Sequence, residues 1–335
     1  MQHKQFLYNA EELEKILKGY PEIIVLADEN TSVHCLSIIE PLLKNIKETI
    51  IIATGEENKT IQTCEKVFEK LMAASTTRNA LLLNVGGGMV CDLGGFCASV
   101  YKRGIDCINI PTSLLCMVDA AFGDKTAVNF LQTKNMIGTF YAPKTVYYNT
   151  DFLSTLPQRQ LYNGFAEMLK HGLIAYSDYF EELCEIDLND TPHLLKHIQT
   201  SIDIKQQIVD EDPHEHGLRK ILNAGHTIGH ALEATQKDIY HGEAVAWGLV
   251  AEAKLSNELG ILPSDQLDVI ETCINKYYKE SKPKDIDYNL MLEKIKNDKK
   301  NTNEYISFSL LQQIGACGYD IEVELDVEVM ERILG

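Results

Sequence analysis

The chain has 335 residues, 45% of them apolar and 24% charged, which fits about two globular domains and excludes a disordered or fibrous protein. Lys plus Arg total 31 against 49 Asp plus Glu, and the formal charge of −18 makes nucleic acid and anionic membranes poor partners.

In chain order, the opening MQHKQFLYNAEELEKILKGYPE has no continuous apolar stretch or small-residue cleavage site, so no export signal is expected. Short β-rich runs then follow at 22–28, 49–54, 80–85, 107–110 and 145–149, with amphipathic helical segments near 31–45 and 60–75. That alternation predicts a doubly wound, Rossmann-like parallel sheet over residues 1–152. The weakly charged stretch from Ala80 to Val100 carries Asp92 and a glycine triplet, which suits a buried strand and turn better than a membrane span. From 153 to 335 a mainly helical domain is expected, with helix-period stretches at 161–176, 193–209, 218–234 and 243–259 and a late hairpin at 305–325. Nine cysteines without a CxxC pair indicate neither a disulfide framework nor a zinc ribbon, and a reducing cytoplasm fits.

Three features can carry chemistry. Gly86, Gly87 and Gly88 follow a buried run and open a helix, where backbone N–H groups can approach a phosphate; the same triplet also serves as a plain tight turn, and it lacks the GxGxxG spacing. His226 and His230 stand at i and i+4 on one helix face, and His241 opens the next helical stretch. With Glu167, an acid inside an otherwise apolar helix, they can form a divalent-metal site between the domains. Without a metal they read as a polar core pair or a surface face, and Thr227 stands where a zincin would need its glutamate. Lys170 and His171 share the face of Glu167, His171 being the more structural of the two. Lys59, Arg103, Lys125, Lys134, Lys170, Lys205 and Arg219 gather at these motifs in an acidic chain, which suits a small anionic substrate, although a single lysine is ordinarily a solvated surface residue.

The motifs GGGMVCDLGGFCASVYKRG, IPTSLLCMVDAAFGDKTAVN, KNMIGTFYAP, LPQRQLYNGFAEMLKHGLI, LRKILNAGHTIGHALEA and HGEAVAWGLVAEAKLS, in this order, resemble the 3-dehydroquinate synthase family of the shikimate pathway. The resemblance implies an NAD- and divalent-metal-dependent carbon–oxygen lyase. Its substrate would be 3-deoxy-D-arabino-heptulosonate 7-phosphate, which is oxidised, loses phosphate, is reduced and closes to 3-dehydroquinate. It implies metal ligands at Glu167, His226 and His241, with zinc and cobalt equally compatible. It implies NAD-binding positions at Asp28, Asn30, Glu56, Lys59, Gly86, Gly87, Gly88, Asp92, Thr112, Ser113, Lys125, Lys134, Phe152, Thr155 and Leu156. It places substrate contacts at Arg103, Lys134, Asn135, Lys205 and Arg219, and catalytic groups at Lys170, Asp119, Lys125, His230 and Asn223, with Lys299 or Lys300 as a further lysine. A homodimer is also implied.

Two positions depart from the family pattern. Asp124 replaces the second glycine of Gly-Gly-Lys-Thr, and Gln160 replaces a glutamate near the expected cofactor side. Other readings left open are a sugar-phosphate cyclase making a different carbocycle, an NAD- and metal-dependent polyol dehydrogenase of related fold, and a non-catalytic NAD-binding relative.

Overall fold

The computed structural model describes residues 5–131, 133–296 and 305–335; Lys299 and Lys300 lie outside the described residues. The chain divides into two compact units, Met1–Pro157 and Gln158–Gly335. The first contains, in chain order, β1 Gln5–Leu7, β2 Ile23–Asp28, β3 Ile46–Ile52, β4 Leu81–Gly86, β5 Asp106–Pro111, β6 Lys125–Phe130, β7 Thr133–Phe140 and β8 Thr145–Tyr147. Six of these form a parallel sheet in the order β1-β8-β5-β4-β2-β3, while β6 and β7 pair as a separate antiparallel hairpin.

Every residue of β2 and β4 is buried, as expected for central parallel strands covered on both faces. Val67 and Leu71 from the helix Ile61–Ala73 and Val90 and Leu93 from the helix Gly88–Val100 pack with Ile24 and Leu82 into one core. β2 is flanked by β3 on one side and β4 on the other, so the strand order reverses at β2. Asp28 ends β2 and Gly86 ends β4, placing both at the carboxyl-end crevice where open parallel sheets bind ligands.

The helix expected near 31–45 is broken into the short helices Glu29–His34 and Leu36–Ile39 and a 3-10 turn at Glu40–Leu42. Pro41 in that turn supplies no backbone donor, which favours a stop over continuation. The hairpin of β6 and β7 was not anticipated, because its sequence alternates polar and apolar residues only weakly and half of it lies on an exposed face.

In the second unit the helix His241–Glu258 is buried on nearly all sides and is the element around which the others gather. The helices Gln158–Ala175, His226–Thr235 and Ser264–Tyr278 pack against it. The expected helical stretch 218–234 is corrected to a 3-10 segment, Leu218–Asn223, followed by the helix His226–Thr235. The break falls where Ala224 is extended and Gly225 is left-handed at φ +77°. A side chain at Gly225 would also collide with Leu249, so backbone sterics and packing both require glycine there. The hairpin expected at 305–325 forms as β9 Ile306–Gln313 and β10 Ala316–Val323. No helix among the described residues is long and apolar enough to cross a membrane.

Candidate active site

In the first unit, Asp28 caps the helix Glu29–His34 through a reciprocal pair with Thr31, and the Thr31 hydroxyl donates to the Val85 carbonyl at 3.0 Å. These bonds tie the ends of β2 and β4 together. Gly87 starts the helix Gly88–Val100 with no side-chain cap, so no side chain takes up its first amides, the groups that at a helix start can bind an anion. A Cβ at Gly86 would lie 2.5 Å from the Val90 side chain and force a shift, and one at Gly87 would press on Ser113 Oγ at 3.3 Å. Thr112 N–H donates to the Gly86 carbonyl, placing Thr112 and Ser113 beside the glycines, and Asp119 follows on a π-helical turn, Cys116–Ala120. Such turns recur at functional sites.

Lys59, buried to 3% exposure, binds Asp92 Oδ2 at 2.5 Å and Asn135 Oδ1 at 2.7 Å. Desolvation pushes the Asp92 carboxyl up to about 6, against the pull of Lys59. Asn129 donates to Glu56 Oε1 and accepts from the Asn135 amide, so Glu56, Lys59, Asp92 and Asn135 form one network. Phe152 is buried, Thr155 is exposed with its hydroxyl on the Phe152 carbonyl, and Leu156 closes the same 3-10 segment. Asn30, Arg103, Lys125 and Lys134 are exposed, and neither Asn30 nor Arg103 joins that network. Arg103 is held in the left-handed region at φ +68°.

Asp124 has φ +66° and follows Gly123 at φ +106°, so both positions of the family's glycine pair are left-handed. Aspartate is among the few side chains that tolerate this conformation. Its carbonyl accepts the Tyr141 N–H, closing the hairpin, and the side chain is half-buried while Lys125 is exposed.

In the second unit Glu167 is completely buried on the helix Gln158–Ala175. Its Oε1 lies 3.4 Å from His226 Nε2 and 3.3 Å from His241 Nε2, and its Oε2 lies 2.5 Å from Lys170 Nζ. Burial opposes ionisation of Glu167, but Lys170 and His226 outweigh it and hold the carboxyl well below its usual range. His226 Nδ1 faces the Ala224 carbonyl at 3.1 Å, and His241 Nδ1 faces Glu233 Oε2 at 3.2 Å. Each acceptor takes the Nδ1 proton, which in a neutral imidazole turns the Nε2 lone pair toward Glu167. Two lone pairs facing one carboxylate oxygen are satisfied by a cation among them, and without one by a proton on an imidazole Nε2.

The spacing matches a metal. Tetrahedral ligands at ~2.0–2.1 Å from a centre stand ~3.3–3.4 Å apart, the separation found here. Glu167, His226 and His241, with all ligand atoms within 4.8 Å of one another, can therefore hold one ion, and all three belong to the second unit.

The surrounding residues fix this arrangement, and sequence reading missed them. Glu252, buried, accepts the N–H groups of Gly225 at 2.6 Å and Ile228 at 3.1 Å, anchoring the start of the helix that bears His226. Burial pushes this carboxyl up to about 8 despite those bonds. Arg159 forks onto Glu243 at 2.7 and 2.8 Å and stacks on Tyr240, while Asn163 accepts the Gly242 N–H, fixing the start of the helix that bears His241. Gln160 accepts from Asn163 at 3.2 Å, a role that its carbonyl fills as a carboxylate would. A sequence signal existed for Glu233, which stands seven residues after His226 on the helical stripe that also carries His230.

His230 is exposed with its ring 5.1 Å from that of His226, and Lys170 touches the metal set through Glu167. Asn223 is not on the histidine helix; it ends the preceding 3-10 segment and donates to Glu215 at 2.9 Å. Arg219, 4% exposed, donates to the Pro213 carbonyl, and its backbone N–H joins those of His216 and Gly217 on Asp212. These donors lower Asp212 to about 2. Lys205 is buried on the helix Thr191–Glu211.

His241 also sets a pH dependence. Burial disfavours its charged form, but Glu167 and Glu233 outweigh that and raise its pKa to about 9. Metal and proton then compete for the same ring, so binding near pH 7 is expected to release about one proton from His241, with affinity rising toward pH 9 and levelling above it. Calorimetry in buffers of different ionisation enthalpy counts that proton; an affinity flat between pH 7 and 9 would contradict the coupling.

A doubly wound sheet followed by a helical unit is the architecture of sugar-phosphate cyclases. A crystal structure of 2-deoxy-scyllo-inosose synthase in complex with carbaglucose-6-phosphate, NAD+ and Co2+ superposes with a TM-score of 0.88 at 26% identity, covering 99% of this chain and 96% of that one. A 2-epi-5-epi-valiolone synthase from Streptomyces hygroscopicus with NAD+ and Zn2+ bound shares the fold at a TM-score of 0.83 and 22% identity, covering 100% and 96%. Glycerol dehydrogenase from Schizosaccharomyces pombe shares it at 0.62 and 15%, covering 99% and 90%.

Within that class the chain belongs to the 3-dehydroquinate synthase family, matching its N-terminal model over residues 49–163 and its C-terminal model over residues 164–301. The 3-dehydroquinate synthase of Parabacteroides distasonis is 39% identical over 94% of this chain and 90% of its own length. That of a Sulfurovum species is 41% identical over 88% and 86%.

Proposed function

We propose that the chain converts 3-deoxy-D-arabino-heptulosonate 7-phosphate to 3-dehydroquinate and phosphate, using NAD and a divalent metal. The observation that carries this reading is one buried carboxylate, Glu167, approached by two imidazole nitrogens and an ammonium, in a chain whose curated relatives share the activity. When bound, NAD supplies a two-electron acceptor for a ring hydroxyl and the metal supplies positive charge at that hydroxyl's oxygen.

The residues of the chain take the following parts. Glu167, His226 and His241 hold the ion. The uncapped Gly87 turn, Asp28 and the Lys59–Asp92 pair, with Asn30, Glu56, Thr112, Ser113, Phe152, Thr155 and Leu156, form the NAD-binding set. Arg103, Lys125, Lys134 and Asn135 recognise phosphate; Lys59 fixes Asn135 by its carbonyl oxygen, which makes the amide nitrogen the outward donor. Arg219 with Lys205 recognises the carboxylate, while His230 and Asn223 hydrogen-bond ring hydroxyls. Lys170 and Asp119 hold and move protons, Lys170 through an ammonium fixed on Glu167. The nine cysteines are all free thiols, which supports a cytoplasmic home, and the assembly is taken as a homodimer.

A cyclase for a carboxylate-free sugar phosphate would have no use for a buried arginine at 219. The test is phosphate release from the purified protein with NAD and Zn2+ or Co2+, given the heptulosonate phosphate or sedoheptulose 7-phosphate. Release from the former that needs both cofactors supports the proposal; equal turnover of both substrates favours the other cyclase.

A further inference from the structure

We infer that Glu233 is a positioning residue for His241, fixing the ring so that Nε2 and not Nδ1 meets the metal. The inference rests on the metal reading above. Glu233 lies on the helix His226–Thr235 and reaches the first residue of the next helix, with Oε2 3.2 Å from His241 Nδ1. His241 therefore stands between two carboxylates, Glu233 at one nitrogen and Glu167 at the other.

A neutral imidazole can offer a lone pair on only one side. His230 with Glu233 offers a second grouping around His241, but its imidazole is exposed, whereas on the other side His226 Nε2 lies 3.4 Å from the wholly buried Glu167 carboxylate. His226 is locked into that direction because its Nδ1 meets a backbone carbonyl, which can only accept. The metal thus falls on the Glu167 side, and Glu233 must accept the Nδ1 proton of His241. The two histidines are held by different means: His226 by a backbone carbonyl that mutation cannot remove, His241 by a side chain that it can. A carboxylate in this place orients the ring and makes it a more basic ligand.

The experiment measures Co2+ affinity by competition with a chelating indicator, and the visible spectrum of the bound cobalt, for the parent chain, Glu233→Ala, Glu233→Gln and His241→Ala. NAD affinity and thermal unfolding report the fold. Glu233 is partly exposed, its side chain at 19%, so truncation is expected to leave the fold intact. The expected result is one Co2+ per chain throughout the Glu233 series, with affinity about 10–100-fold weaker and a changed cobalt spectrum in Glu233→Ala. Glu233→Gln, whose amide oxygen still accepts from Nδ1–H, is expected to recover most of the loss. Parent-like affinity and spectrum in Glu233→Ala, alongside loss in His241→Ala, would overturn the role of Glu233 alone. Loss of Co2+ in Glu233→Ala as complete as in His241→Ala, without rescue by glutamine, would make Glu233 a ligand and overturn the positioning role. Cobalt binding that His241→Ala leaves unchanged would overturn the metal site itself and this inference with it.

Discussion

Glu167→Ala is expected to abolish phosphate release and to weaken metal binding at least about 10³-fold, beyond the ~10–100-fold typical of losing an outer partner. Glu167 is the only one of the three proposed ligands that is wholly buried, and both imidazoles and Lys170 converge on it. Removing it deletes a ligand and leaves the Lys170 ammonium buried without its counter-charge, a change that costs about 3–5 kcal/mol when a buried pair is broken. Stability and activity would then fall together; Glu167→Gln shares the lost counter-charge but keeps the side-chain volume and an acceptor oxygen for Lys170, so it should lose the metal with less loss of stability, which thermal unfolding of both variants measures. The proposed NAD-binding set lies in Met1–Pro157, so NAD affinity is expected to stay near that of the parent. Direct metal titration and NAD titration of both variants check this, and parent-like metal affinity in either would refute the ligand assignment.

Arg219→Ala is expected to lower kcat/KM for the heptulosonate phosphate by about 10²–10³, with NAD and metal affinity unchanged. The arginine is buried and pre-set, because the Pro213 carbonyl fixes its guanidinium and Asp212 fixes its backbone. A substrate carboxylate can accept two parallel N–H groups from such a fork, and lysine offers only a point charge, so Arg219→Lys should recover little. Discrimination against sedoheptulose 7-phosphate should shrink by a similar factor. Steady-state kinetics with both substrates measure it, and an unchanged ratio would remove Arg219 from carboxylate recognition.

The sheet was legible because β2 and β4 are uniform apolar runs, and buried parallel strands admit little else. The grouping of Glu167, His226 and His241, the proposed metal set, was legible because Glu167 is an acid in an apolar helix and two of the histidines have helical spacing. What escaped reading was everything set by distant contact. The turn at Ala224 and Gly225, which puts Asn223 off the histidine helix, exists because Glu252 collects its backbone donors from another helix. Arg159 belongs to a motif legible from resemblance alone, yet its partner Glu243 is 84 residues away. Asp124 stands where the family pattern has glycine because the backbone there is left-handed, a conformation that aspartate tolerates.

If oxidation and reduction occur within one catalytic cycle, phosphate and NADH followed together in one sample with enzyme, metal, NAD and the heptulosonate phosphate will part company. Phosphate is expected to accumulate over many turnovers while NADH stays at or below the enzyme concentration. NADH rising in step with substrate consumed, with or without phosphate, would contradict it and identify a dehydrogenase.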